Sequence, residues 1–157
     1  MSVETAEEML VACQAALPVD VAVMAAAVAD WRVETAGRHK LKKDGRPPVL
    51  RLAENPDILA SIAQRANDRP ALVVGFAAET DDVVENARRK RLRKRCDWIL
   101  ANDVSPGTDT FGGDRNTIHL VDGDGIEDWP VMTKREVAAR LAERIARHIG
   151  VRHPGGS

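Results

Sequence analysis

The chain has no tyrosine and two phenylalanines among its 157 residues. Proteins that hold single-stranded nucleic acid stack its bases on aromatic side chains, and few such platforms can be built here. An excess of charge of one sign is also missing. Lys and Arg number 23 and Asp and Glu 24, a net charge of -1, so the overall balance favours neither nucleic acid nor a membrane surface as a partner. Cysteine is scarce: Cys13 and Cys96 stand far apart with no CxxC or Cys/His spacing. That argues against a disulfide framework and a structural zinc site, and fits the reducing cytoplasm. His39, His119, His148 and His153 show no metal-ligand spacing either, so no metal ligand is expected from the side chains. The longest apolar run, Val21 to Ala29, lies between Asp20 and Asp30 and is too short to span a bilayer. The acidic N-terminus does not read as a signal peptide. No GxxxxGK[ST] and no GxGxxG occurs, which leaves a P-loop and a standard dinucleotide fingerprint without support.

What is present reads as strands alternating with helices. Thr5-Ala6-Glu7-Glu8 has the spacing of a capping box and predicts a helix to about Ala16, ended by Leu17-Pro18. Val21 to Val28 lacks alternation, as expected of a central parallel strand covered on both faces. The polar stretch from Asp30 to Pro48 predicts a long mobile loop, and Val49 to Leu52 a short strand. Asn55-Pro56-Asp57 reads as a helix start with Asn as cap and Pro at the first helical position, leading a helix from Ile58 to Ala66. Ala71 to Phe76 and Trp98 to Ala101 read as strands around a basic helix from Asp81 to Arg95. A strand from Asn116 to Val121 then meets a hairpin partner from Ile126 to Met132 across Asp122-Gly123-Asp124-Gly125. A second capping box at Thr133 opens a closing helix with Val137, Leu141, Ile145 and Ile149 on one stripe. Val151 to Ser157 is expected to be a disordered tail. The fold class is α/β: a Rossmann-like, mainly parallel sheet flanked by helices, with a small β-hairpin near the C-terminus.

In such sheets ligands sit beyond the carboxyl ends of the strands. Ala25-Ala26-Ala27-Val28-Ala29-Asp30 and Gly75-Phe76-Ala77-Ala78-Glu79-Thr80 leave their strands through small residues. These let a flat base or a ribose approach the backbone, and each is followed by an acid able to accept hydrogen bonds from a sugar or a base. Ala101-Asn102-Asp103-Val104 is a third such end. Read singly, each is better explained by close helix packing and a solvated acid; the three together favour a site. Basic charge is concentrated in two places, Lys40-Leu41-Lys42-Lys43 and the run from Arg88 to Arg95, where seven of eight residues are Lys or Arg. A mobile lysine loop can neutralise charge developing on a leaving pyrophosphate, and Lys90 and Lys94 share a helix face from adjacent turns. The alternatives are solvated charge, or a nucleic-acid-binding module using the basic helix 88–95.

Taken in order, these segments, with Asn55-Pro56-Asp57-Ile58-Leu59 and Phe111-Gly112-Gly113-Asp114-Arg115-Asn116, resemble the ligase domain of the bacterial bifunctional phosphopantothenoylcysteine decarboxylase/phosphopantothenate–cysteine ligases of coenzyme A biosynthesis. The resemblance covers roughly residues 3–150. It implies a CTP-dependent ligase that joins 4′-phosphopantothenate and L-cysteine through an acyl-cytidylate, with magnesium accompanying the nucleotide. Carried over by motif, the nucleotide-binding positions fall on Met24, Ala25, Ala26, Asp30, Lys40, Pro56, Asp57, Ile58, Leu59, Phe76, Lys90 and Lys94, with Lys40 as the catalytic residue. Phe76 and the helix start at Pro56 are expected to frame the cytosine. The family's opening Gly-Gly-Thr strand and its Asn-Ser-Ser-Gly segment are not in this sequence, nor is the FMN-dependent decarboxylase domain. The expectation is therefore an N-terminally truncated ligase domain over residues 1–150. A homodimer is implied, with partner contacts in the segment from Asp30 to Asn55.

Overall fold

The computed structural model describes residues 2–34, 49–105 and 115–152, with side chains described as far as residue 150. Helix α1 (Ala6–Ala15) starts on the expected capping box: Thr5 Oγ1 accepts from the Glu8 N–H at 3.1 Å, and Glu8 Oε2 accepts from the Thr5 N–H at 3.1 Å. Strands β1 (Val21–Met24), β4 (Leu72–Glu79) and β5 (Trp98–Asp103) run parallel, in register Val23 to Val74 and Val74 to Trp98. Strands β7 (Ile118–Val121) and β8 (Ile126–Asp128) extend the sheet antiparallel, giving the order β1-β4-β5-β7-β8. The sheet is Rossmann-like and mainly parallel, with the C-terminal hairpin on its far side.

The apolar runs of β4 and β5 divide by parity into two cores. Val73, Ile99 and Ala101 face helices α2 (Ile58–Ala63) and α3 (Val83–Lys94), packing with Ile62 and Ala87. Leu72, Val74, Trp98 and Leu100 face the opposite side, where α4 (Lys134–Arg152) lays down Val137, Leu141 and Ile145. A strand buried on both faces has no polar side to alternate with, which is why these runs read as continuous.

The first strand differs from expectation. It ends at Met24 and lies at the sheet edge, with Val23 44% exposed. Alanine has low strand propensity, and Ala25 to Ala29 leave the sheet as open chain. Asp30 does not begin a loop directly. Strand β2 (Trp31–Val33) follows and pairs antiparallel with β3 (Leu52–Glu54), three residues later than the expected start of that strand at Val49. Residues 35–48 lie outside the described residues.

Helix α2 is capped by Asp57, whose Oδ1 accepts from the Ala60 N–H at 3.0 Å, while Asn55 sends its side-chain amide to the Ala29 carbonyl. The helix ends at Ala63, short of Ala66. Helix α3 spans Val83–Lys94, bounded by left-handed residues at Asp82 (φ 43°) and Arg95 (φ 58°). The expected C-terminal hairpin divides in two: β7 pairs β8, and β6 (Arg115–Asn116) pairs β9 (Met132–Thr133). Pro130, which has no N–H to donate, lies between β8 and β9. The second capping box is present at Thr133, and α4 continues to Arg152, past the expected start of the tail. Residues 153–157 lie outside the described residues.

Candidate functional site

Beyond the carboxyl end of β1 lies a cavity of about 650 Å³. Its floor follows from the sheet order. Met24 sits beside Gly75 in register, so the exit of β1 through Ala25 and Ala26 opens next to Phe76 of β4. Gly75 makes room there. A β-carbon on it would lie 2.6 Å from Leu59 Cδ2 and 2.9 Å from Ile99 Cδ1. Its absence lets the first turn of α2 close on the sheet and bring Pro56, Asp57, Ile58 and Leu59 into the cavity wall. Helix α3 adds the adjoining wall, presenting Lys90, Arg93 and Lys94, three residues that fall on one face of a helix. Asp30 closes the rim.

All of the expected nucleotide-binding positions within the described residues therefore line one cavity. Lys40 lies outside the described residues. Among the other flagged groups, Glu79, Asn102 and Asp103 do not line it. Asn102 donates to Asn116 Oδ1 at 3.0 Å, and Asp103 accepts from the Ser105 N–H at 2.9 Å. The Ser105 hydroxyl and that N–H hold the Asp103 carboxyl below the usual carboxylate range. Two strand ends, not three, build the site, because β5 lies one strand further from β1 than β4 does.

The reading by motif missed other lining residues: Arg93, Trp31, Glu54 and Asn55 on the rim, and Met9 and Cys13 from α1. Arg93 could have been found, since it stands three residues after Lys90 and next to Lys94. The α1 residues gave no signal, since what brings them here is the packing of α1 against α2.

Charge in the cavity is unevenly spent. Lys94 is ion-paired with Asp57 Oδ2. Burial pushes the Asp57 carboxyl up, but the Lys94 hydrogen bond, the Ala60 N–H and the charges of Lys94 and Arg93 outweigh it and hold it below the usual range. Lys90 has no hydrogen-bond or ion-pair partner among the described residues, which leaves its charge facing the cavity. The basic helix does not form one uniform solvated face: Arg88 lies near Glu85, Arg89 bonds Asn86, and Lys90, Arg93 and Lys94 line the cavity. The nucleic-acid reading of residues 88–95 gains no support from this arrangement. Cys96 is buried in the core, and burial pushes its thiol up to about 11, far from a reactive thiolate. Among the described residues no group of three His, Cys, Asp or Glu side chains could hold a metal ion, and no helix is long and apolar enough to cross a membrane.

The chain matches the DNA/pantothenate metabolism flavoprotein C-terminal domain over residues 1–149. It is 41% identical over 149 residues to the coenzyme A biosynthesis bifunctional protein CoaBC of Escherichia coli K12, covering 92% of this chain and 36% of that protein. It is 36% identical over 128 residues to CoaBC of Bacillus subtilis, covering 81% of this chain and 31% of that protein. The chain thus spans about a third of the length of these curated relatives. The crystal structure of the C-terminal domain of a CoaBC superposes with a TM-score of 0.72 at 32% identity, over 95% of this chain and 67% of that one. The DNA/pantothenate metabolism flavoprotein from Streptococcus pneumoniae shares the fold, with a TM-score of 0.73 at 19% identity over 94% of this chain and 72% of that one. The resemblance carried by the alanine, lysine and Asn-Pro-Asp motifs holds at the level of the family: this chain belongs to the DNA/pantothenate metabolism flavoprotein C-terminal domains.

Proposed function

We propose that this chain is the nucleotide-holding part of a coenzyme A biosynthetic ligase that joins 4′-phosphopantothenate to L-cysteine at the expense of CTP. The observation that carries the reading is the cavity itself. Small-residue backbone at the exit of β1, an aromatic ring at Phe76 and three cations of α3 surround one volume of about 650 Å³, within the range of small-molecule sites. In this reading Phe76 and Pro56 frame the base, Asp30 accepts from the ribose, and Lys90, Arg93 and Lys94 meet the phosphates. Lys94 would exchange Asp57 for a phosphate oxygen.

The substrate carboxylate attacks the α-phosphorus of CTP and pyrophosphate leaves, giving the acyl-cytidylate. The cysteine amine then attacks the acyl carbon, CMP leaves, and the amide forms. Each step moves negative charge onto phosphate oxygens, which fixed cations stabilise without reorganising. Lys40 is the residue we assign to steadying that charge during acyl-cytidylate formation. Magnesium would supply further neutralisation of the phosphates; a phosphate-borne ion needs one or two protein carboxylates at most, and Glu54 on the rim would hold it. A cytoplasmic homodimer, joined in the longer protein to a flavin-dependent decarboxylase domain, completes the reading.

Thermal melts with CTP, ATP and magnesium test it. CTP should raise the midpoint more than ATP, and Lys90→Ala and Lys40→Gln should reduce the rise. Equal shifts with every nucleotide, or none, would sink the proposal. Pyrophosphate release on adding phosphopantothenate and cysteine tests the chemistry.

A further inference from the structure

The cavity adjoins a second, smaller one of about 340 Å³ between the start of α1 and the Ala27 to Ala29 backbone. Asn55 lines both, at the point where the chain leaving β1 crosses the chain entering α2. Two of its donors are committed to that crossing. The side-chain Nδ2 donates to the Ala29 carbonyl at 2.8 Å, and the backbone N–H donates to the Asp30 carbonyl at 2.8 Å. Two consecutive carbonyls, those of Ala29 and Asp30, are thus held by one residue. Asp30 itself is exposed on the rim, and no described side chain hydrogen-bonds or pairs with its carboxylate.

We infer that Asn55 is a positioning residue for Asp30, fixing the backbone from which that carboxylate leaves so that it meets the sugar hydroxyls of a bound nucleotide. This deepens the proposed nucleotide site and rests on that reading. The physical reason is directional. A carboxylate on open chain samples several orientations, and a hydrogen bond to a ligand is gained at full strength only if that freedom is removed beforehand. The crossing removes the backbone part of that freedom with two bonds. Asn is suited to the task because its amide presents a donor to Ala29 without a charge. An Asp there would set a carboxylate against a carbonyl oxygen.

The test couples the protein change to a ligand change. Binding of CTP and of 2′,3′-dideoxy-CTP is measured by calorimetry on the native chain, on Asn55→Ala, on Asn55→Asp and on Asp30→Asn, with thermal midpoints recorded for each. The native chain should prefer CTP by roughly tenfold, the size of one hydrogen bond to a charged group. Both Asn55 variants should lose most of that preference, as should Asp30→Asn, while the uncharged Asn55→Ala keeps its affinity for the dideoxy nucleotide within about twofold. A merely structural role would lower both affinities together. That outcome, or an unchanged preference in a folded Asn55 variant, overturns the inference and leaves the nucleotide site standing. A native chain that binds both nucleotides equally overturns it too, by removing the sugar contact. A native chain that binds neither overturns the parent reading instead. Asn55→Asp keeps the side-chain volume, so it carries the test if Asn55→Ala fails to fold.

Discussion

At the scale of single residues, Asp57 does two jobs that can be separated. One carboxylate oxygen caps α2 through the Ala60 N–H, and the other holds Lys94. Asn caps a helix about as well as Asp, so Asp57→Asn should remove only the ion pair and cost under about 1 kcal/mol in urea unfolding at pH 7. Asp57→Ala loses the cap as well and should cost about 1 kcal/mol more. The pH dependence has a definite sign. The folded-state carboxyl is held below its ordinary value, so its contribution is complete above the unfolded value of about 4 and is lost as the pH falls through the folded one. Asp57→Asn should therefore flatten the stability profile below about pH 4 and leave its shape unchanged above pH 5. Gly75 offers a second test. A methyl group there would displace Leu59, so Gly75→Ala should cost roughly 1–3 kcal/mol and weaken CTP binding, measured on the same sample by melting with and without nucleotide.

At the scale of elements, the C-terminal hairpin is fixed to α4 by a charged network. Glu127 of β8 accepts from Arg140 at 3.0 Å, from Arg144 at 3.4 Å and from the Trp129 indole N–H at 3.0 Å. Burial pushes its carboxyl up, and the bonds from Arg140, Trp129 and Arg144 more than compensate. The two guanidinium groups also lie 4.9 Å over Trp129 and 4.8 Å over Trp98. Removing the shared acceptor unsettles all three donors at once, so Glu127→Ala should destabilise by about 1–2 kcal/mol. Glu127→Gln should cost less. Comparing denaturant midpoints of the two variants checks this, and nucleotide binding should be unaffected, since the network lies away from the cavity. Elements whose ends are set locally were legible beforehand, as the capping boxes at Thr5 and Thr133 show. Elements defined by a distant partner were not. The β2–β3 ribbon depends on Trp31 meeting Glu54 across the chain between them, and no local pattern specifies that pairing. Asn55 was misread for the same reason: its donor has a partner 26 residues away.

At the scale of the whole molecule, the β2–β3 ribbon leaves Trp31 54% and Leu52 58% exposed, with Val33, Val49 and Leu50 nearby in sequence and also exposed. Exposed apolar side chains on a ribbon are poorly placed to face water, and this is where the proposed homodimer would bury them. Sedimentation should show a dimer for the native chain and a monomer for Trp31→Glu, with the far-ultraviolet spectrum unchanged. A native monomer at all concentrations would remove the dimer from the proposal.

The sequence by itself determined the apolar runs of β4 and β5, the two capping boxes, the family, and the residue types of a nucleotide site, since periodicity, capping and motif are local properties of the chain. Tertiary structure alone decided how they meet. The order β1-β4-β5 brings Phe76 beside the exit of β1 and keeps Asp103 out of the cavity. Gly75 admits α2, and α3 lays Lys90, Arg93 and Lys94 along one wall. Which residues share a cavity is set by contacts between segments far apart in the chain, and those exist only once the sheet has formed.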